Sequence, residues 1–162
     1  MKDLLNAAEM KAVDQRSIEE YGIPSLVLME RAALEVVKRA RELLEPGLSG
    51  NEALEHGPGR ERLLKERKRK TVWAVCGFGN NGADGAAAAR MLTLQGFSSV
   101  ILLPSLEGKR SRELEVQLSI AEKLGIPILT LGDPLPEACD LILDAVFGIG
   151  LSRPVEGVYK EL

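Results

Sequence analysis

The sequence predicts an α/β fold, a mostly parallel sheet with helices on its faces, preceded by two N-terminal helices. Three observations carry this expectation. From residue 71 onward, short apolar runs alternate with amphipathic helical stretches, the pattern of a parallel sheet covered by crossover helices. A glycine-rich turn follows the first of these runs directly and opens a helix. Upstream, residues 6–44 repeat their apolar side chains at helical spacing rather than by alternation.

Each element has its own local reason. Over residues 6–21, Met10, Val13, Ile18 and Tyr21 recur at near-helical spacing with charges between them, and Gly22 suits the residue just past a helix, where φ is often positive. Over 25–44, Leu28, Ala32, Val36 and Ala40 repeat every fourth residue, Ala33, Val37 and Leu44 widen the stripe, and Pro46 with Gly47 ends it. Residues 45–70 form a connector broken by Gly47, Gly50, Gly57, Pro58 and Gly59. Within it, residues 57–70 hold seven basic and two acidic residues. The run Lys65 to Lys70 offers charge to an anion or nucleic acid, but the preferred reading is a solvated, partly helical connector. Strand follows at 71–76, helix at 82–95 closed by Gly96, and strand at 99–103 stopped by Pro104. A helix at 111–124 shows Leu114, Leu118 and Ala121 on one side, a weak strand spans 128–131, and a stronger one 140–146. Crossovers between the strands are expected to be right-handed.

At 162 residues the chain has room for about one domain, taken as 1–162. Hydrophobic residues at 45% and charged residues at 28% describe a globular chain rather than a disordered one. A formal charge of −3 argues against a generally basic nucleic-acid binder, and 4% aromatic residues leave few stacking platforms. Cys76 and Cys139 make neither a disulfide framework nor, with His56, a zinc pattern, so both read as buried, reduced thiols of a cytoplasmic protein. No stretch reads as a signal peptide or a membrane span.

The sharpest motif is Gly77-Phe78-Gly79-Asn80-Asn81-Gly82-Ala83-Asp84-Gly85. Gly77, Gly79 and Gly82 satisfy G-x-G-x-x-G between a strand and a helix, where bare backbone approaches a ligand and helix N–H groups face an anion. Ala86 to Ala89 let this helix sit close to the sheet. The ordinary dinucleotide fold also wants a carboxylate at the end of the second strand, but here that strand ends Leu102-Leu103-Pro104-Ser105. Asp84 near phosphates would repel them unless it acts on a sugar hydroxyl, caps the helix or serves a cation. Alone, it also reads as a helix-dipole carboxylate, and Asn80 and Asn81 as turn residues.

A second motif runs from Asp144 through Gly148, Gly150 and Arg153 to Pro154. Asp144 falls near the carboxyl end of a strand, the ligand-binding edge of an open α/β sheet. A carboxylate in an apolar strand is costly unless paired or coordinated, which marks Asp144 as functional. Oxygen donors from Asn81 and Asp144 on neighbouring strand ends suit a hard cation.

Four segments together resemble the NAD(P)H-hydrate epimerase family, the YjeF N-terminal domain. They are Ala8-Glu9-Met10 with Asp14, Gly22-Ile23-Pro24 running into Leu28-Met29-Glu30-Arg31-Ala32, the Gly77–Gly85 turn, and the stretch from Asp144 to Gly157. The resemblance implies a Rossmann-like three-layer sandwich and interconversion of the R and S epimers of hydrated NADH or NADPH. These are damaged cofactors with a hydroxyl on the nicotinamide-derived ring. Residue by residue, it implies substrate contacts from Asn80, Asn81, Gly82, Ala83 and Asp84, and from Gly148, Ile149, Gly150, Leu151, Ser152, Arg153 and Pro154. It places a potassium ion (K+) on Asn81 and Asp144. It implies a homodimer, a dehydratase domain or protein as partner, and no chemical role for Glu30 or Arg31 beyond helix packing or an interface.

Three departures stand beside it. Ala83 replaces a glycine, which would strain the backbone by about 1 kcal/mol or more if φ were positive there. The 45–70 connector is long and charged. A family strand ending in an Asp-Ile-Pro-Ser-Gly-like motif, expected to supply an acid or base, is not in the sequence, so the catalytic residue is unassigned and the activity of this short chain stays open. The alternative reading is a non-catalytic nucleotide- or RNA-binding scaffold of the same fold.

Overall fold

The computed structural model describes residues 5–46, 58–137, 139–148, 151 and 154–161. Helix α1, Ala7–Glu19, starts on a reciprocal cap: the Asn6 side chain accepts the Ala8 and Glu9 N–H groups at 3.0 Å, and Glu9 accepts the Asn6 N–H at 2.7 Å. Gly22 follows with φ of 67°, the left-handed turn expected of it. Helix α1 buries none of its residues, and its apolar stripe lies on the surface.

Helix α2, Ser25–Leu44, buries Met29, Ala33, Val37, Ala40 and Leu44. The core row is therefore the expected flanking row, one step round from Leu28, Ala32 and Val36. Small Ala33 and Ala40 face helix α4, Asn80–Leu94, whose Ala86, Ala87, Ala88 and Ala89 are wholly buried. Two helices meeting through methyl groups come closer than two meeting through leucines.

The connector is less solvated than its composition suggests. Helix α3, Pro58–Lys68, occupies its end, and Arg67 points inward. Its guanidinium donates to both Glu45 oxygens, at 2.7 and 2.8 Å, and lies 5.3 Å from the Phe97 ring centre. A buried bidentate pair of this kind ties α2 to α3 and takes Arg67 out of any basic patch. Arg62 is satisfied by Glu66 at 3.0 Å.

Four strands form one parallel sheet in the order β3-β2-β1-β4: β1 is Thr71–Cys76, β2 Ser98–Leu103, β3 Ile128–Thr130 and β4 Leu141–Ala145. Helix α5, Arg112–Lys123, buries Leu114, Leu118 and Ala121 as read from the sequence, and adds Gln117. Val72, Ala74 and Cys76 of β1 belong to the two apolar clusters shared with α2, α4 and α5. The α/β class is thus borne out. The strand order reverses direction between β1 and β4, and a crevice at that carboxyl edge is where such sheets hold ligands.

Some expectations are corrected. Cys139 is exposed rather than buried, because it precedes the outer strand. Cys76 is buried as expected, and burial pushes its thiol up to about 12. Ala83 carries no positive φ: it sits inside α4, fully buried, so the expected strain does not arise. Among the described residues no helix is long and apolar enough to cross a membrane.

Candidate functional site

The glycine-rich turn is built by close approach rather than by unusual backbone angles. A β-carbon on Gly77 would stand 2.1 Å from the Val146 carbonyl oxygen, and one on Gly82 would stand 1.8 Å from the Gly77 carbonyl oxygen. Gly85 rests against β4, where a β-carbon would meet the Ala145 side chain at 2.4 Å. The turn and the end of β4 are therefore pressed together, and the Gly77 N–H donates to the Ala145 carbonyl at 3.0 Å. Gly79 caps α4 without a side-chain hydrogen bond, and a β-carbon there would meet nothing. The first N–H groups of α4 are those a helix leaves without intrahelical partners.

Helix α4 begins at Asn80, two residues earlier than the sequence pattern suggested, and this splits the turn between two directions. Residues 81 and 85 share one row of the helix, 80 and 84 the next. Asn81 lies beside Gly148: a β-carbon on that glycine would meet Asn81 Cβ at 3.4 Å and Oδ1 at 3.6 Å. Asn80 and Asp84 instead line a groove of about 520 Å³ between α1, α2 and the start of α4. Burial, with the Asp14 charge adding to it, raises the Asp84 carboxyl to about 6.

Asp144 pairs in register with Val75 near the end of β4. It is exposed, and its Oδ1 accepts the Val146 N–H at 3.1 Å. Burial therefore imposes no cost on Asp144, because β4 is the outer strand of the described sheet. What does hold is its place at the carboxyl edge, on the strand beside the one that leads to Asn81. Leu151 and Pro154 are exposed, and Ile149, Gly150, Ser152 and Arg153 lie outside the described residues.

One feature was missed. Tyr159, in a 3-10 helix at Gly157–Lys160, packs on Phe78 with ring centres 6.0 Å apart and on Phe147 at 5.1 Å. It bridges the turns after β1 and β4. No periodicity marks it, since it stands alone past the last motif. Glu30 does pack helices: it accepts from Arg90 of α4 and from Gln117 of α5, the latter at 3.0 Å. Its polar partners lie 60 and 87 residues away in sequence, which no local pattern reports.

Comparison with known proteins agrees with this fold. The family model described as YjeF-related protein N-terminus matches residues 25–162. A relative from Limosilactobacillus fermentum named NAD(P)H-hydrate epimerase is 40% identical over 159 residues, covering 98% of this chain and 65% of its own. One of the same name from Oenococcus oeni is 43% identical, covering 89% of this chain and 58% of its own. A relative from Thermofilum pendens, named a bifunctional NAD(P)H-hydrate repair enzyme, is 31% identical over 96% of this chain and 27% of its own. The crystal structure of a yeast protein shares the fold, with a TM-score of 0.73 at 23% identity, covering 98% of this chain and 63% of that one. The chain thus spans about three fifths of the length of the epimerase relatives it matches. By sequence and by fold, this chain belongs to the YjeF-related N-terminal family.

Proposed function

We propose that this chain carries the nucleotide-binding part of an NAD(P)H-hydrate epimerase, which interconverts the R and S epimers of hydrated NADH or NADPH. The observation that supports it most is the nearness of Asn81 to Gly148, which sets the turn after β1 beside the turn after β4 at the strand-order reversal. The free N–H groups at the start of α4 suit the substrate's phosphates. Relatives of the same name, 40 and 43% identical, supply the substrate class.

The donor chemistry at this edge fits K+. Asn81 brings an amide oxygen and Asp144 an exposed carboxylate, both hard donors. They would hold the ion, which would supply fixed positive charge beside the phosphates. Asn80, Gly82, Ala83 and Asp84 on one side, and residues 148–154 on the other, would contact the substrate. A homodimer, a dehydratase partner and a cytoplasmic location complete the reading. The dehydratase is suggested by the bifunctional relative.

Calorimetric titration with the NADPH hydrates tests it. The wild-type chain should bind, and Gly148→Val, which fills the space against Asn81, should weaken binding at least tenfold. Equal affinity in the two proteins would contradict the placement.

A further inference from the structure

The two-sided turn leaves one side unexplained. Asn81 looks toward β4, whereas Asp84 opens into the groove between α1 and α2. At about 520 Å³ this groove is large enough for a small ring, and its walls mix apolar and charged groups. Among the described residues no side chain or N–H donates a hydrogen bond to the Asp84 carboxyl. The charged groups that line the groove with it are Asp14 from α1, Arg31 and Glu35 from α2, and Glu113 from α5. Glu113 is occupied, because its carboxylate accepts the Ser25 hydroxyl at 2.6 Å and is held below the usual range chiefly by that bond.

We infer that Asp84 and Asp14 form an acid–base pair, one on the α4 wall and one on the α1 wall, that exchanges the substrate hydroxyl for water. The inference rests on the epimerase reading and assigns the reacting end of the substrate to this groove.

Hydration of a dihydropyridine ring places the hydroxyl on the carbon beside the ring nitrogen. Inversion at that carbon needs the old C–O bond to break on one face and a new one to form on the other. Protonated Asp84 gives its proton to the hydroxyl oxygen. The C–O bond breaks with both electrons on oxygen, water leaves, and the nitrogen lone pair closes a C=N bond. Water then adds from the α1 side, the C=N electrons return to nitrogen, and Asp14 takes the proton that the incoming water loses. The ring keeps its oxidation state and its composition, and only its configuration changes. The opposite epimer runs the same path with Asp14 as acid and Asp84 as base.

Two facing carboxyls that differ in burial suit this division, as in enzymes that invert a carbon between two carboxyls. Asp84 is half-buried and Asp14 exposed, and burial raises the Asp84 carboxyl to about 6. On this account α1, which buries none of its own residues, is kept as a wall of the site.

The test runs the wild-type chain, Asp84→Asn and Asp14→Asn on one epimer of the NADPH hydrate in ¹⁸O-labelled water, with binding measured in parallel. Asn keeps the size of Asp, and circular dichroism confirms folding of each variant. The expected result is one solvent oxygen gained per inversion in the wild type. Each variant should lose about a hundredfold or more in kcat, with affinity changed less than threefold. Inversion without label uptake, or variants within threefold of wild-type kcat, overturns the inference. A wild-type chain that binds the hydrate without inverting it overturns the inference and leaves the nucleotide-site reading standing. A chain that does not bind removes both.

Discussion

Arg90 of α4 donates its guanidinium to both carboxylate oxygens of Glu30 on α2, at 2.6 Å to Oε2, while its Nε reaches Gln117 of α5 at 3.1 Å. Three helices meet in one polar knot at the edge of an apolar core. Gln117 is 1% exposed, so removing Arg90 leaves a buried amide short of a partner. Arg90→Leu should cost about 2 kcal/mol, below the full cost of a broken buried pair because Glu30 is partly exposed. Urea unfolding checks it, with an unchanged m-value expected.

Arg67 and Glu45 form the more deeply buried pair, with side chains 4 and 5% exposed. Arg67→Ala leaves the buried Glu45 carboxylate with only Arg41, 4.0 Å away, and should cost about 3 kcal/mol. Pairing it with Glu45→Leu should recover part of that loss, which a double-mutant cycle in denaturant measures.

The glycines of the turn separate by space. Gly82→Ala forces a β-carbon into the Gly77 backbone and should destabilise by about 3 kcal/mol or more, whereas Gly79→Ala meets nothing and should fall within about 0.5 kcal/mol. Thermal melts of the two variants compare them directly.

Asp84 makes stability depend on pH. Its folded pKa of about 6 lies above the ordinary 3.8, so the folded state holds its proton more tightly than the unfolded chain. Stability attributable to Asp84 is therefore intact below about pH 4 and is lost as pH rises toward 6 and beyond. The rise corresponds to about 3 kcal/mol at full effect, and screening at a half-buried site brings the expectation to about 1 kcal/mol. Asp84→Asn should gain that amount at pH 7.5 and nothing at pH 3.5, read from denaturant midpoints at the two pH values.

Sequence pattern exposed the fold well where periodicity and packing agree. The 71–76 and 99–103 runs are strands because buried parallel strands are continuously apolar, and the Ala86–Ala89 run marks the helix that lies closest to the sheet. It was less informative where small and large residues compete, as on α2, where Ala33 rather than Ala32 faces the core. The candidate site was legible as two motifs, and the structure sets Asn81 beside Gly148. The divergence of Asn81 and Asp84 was hidden, since it depends on α4 starting at Asn80. Asp144 was singled out for a burial it does not have, because sequence alone did not show that β4 lies at the sheet's edge. Tyr159 and the Glu30–Arg90–Gln117 knot depend on contacts between distant segments.

The most direct measurement follows a single R or S epimer of the NADPH hydrate by chromatography, with the purified chain present, with and without K+. The expected result is conversion faster than the spontaneous rate, stimulated by K+ and lost in Asn81→Ala. Conversion no faster than in buffer alone would contradict it.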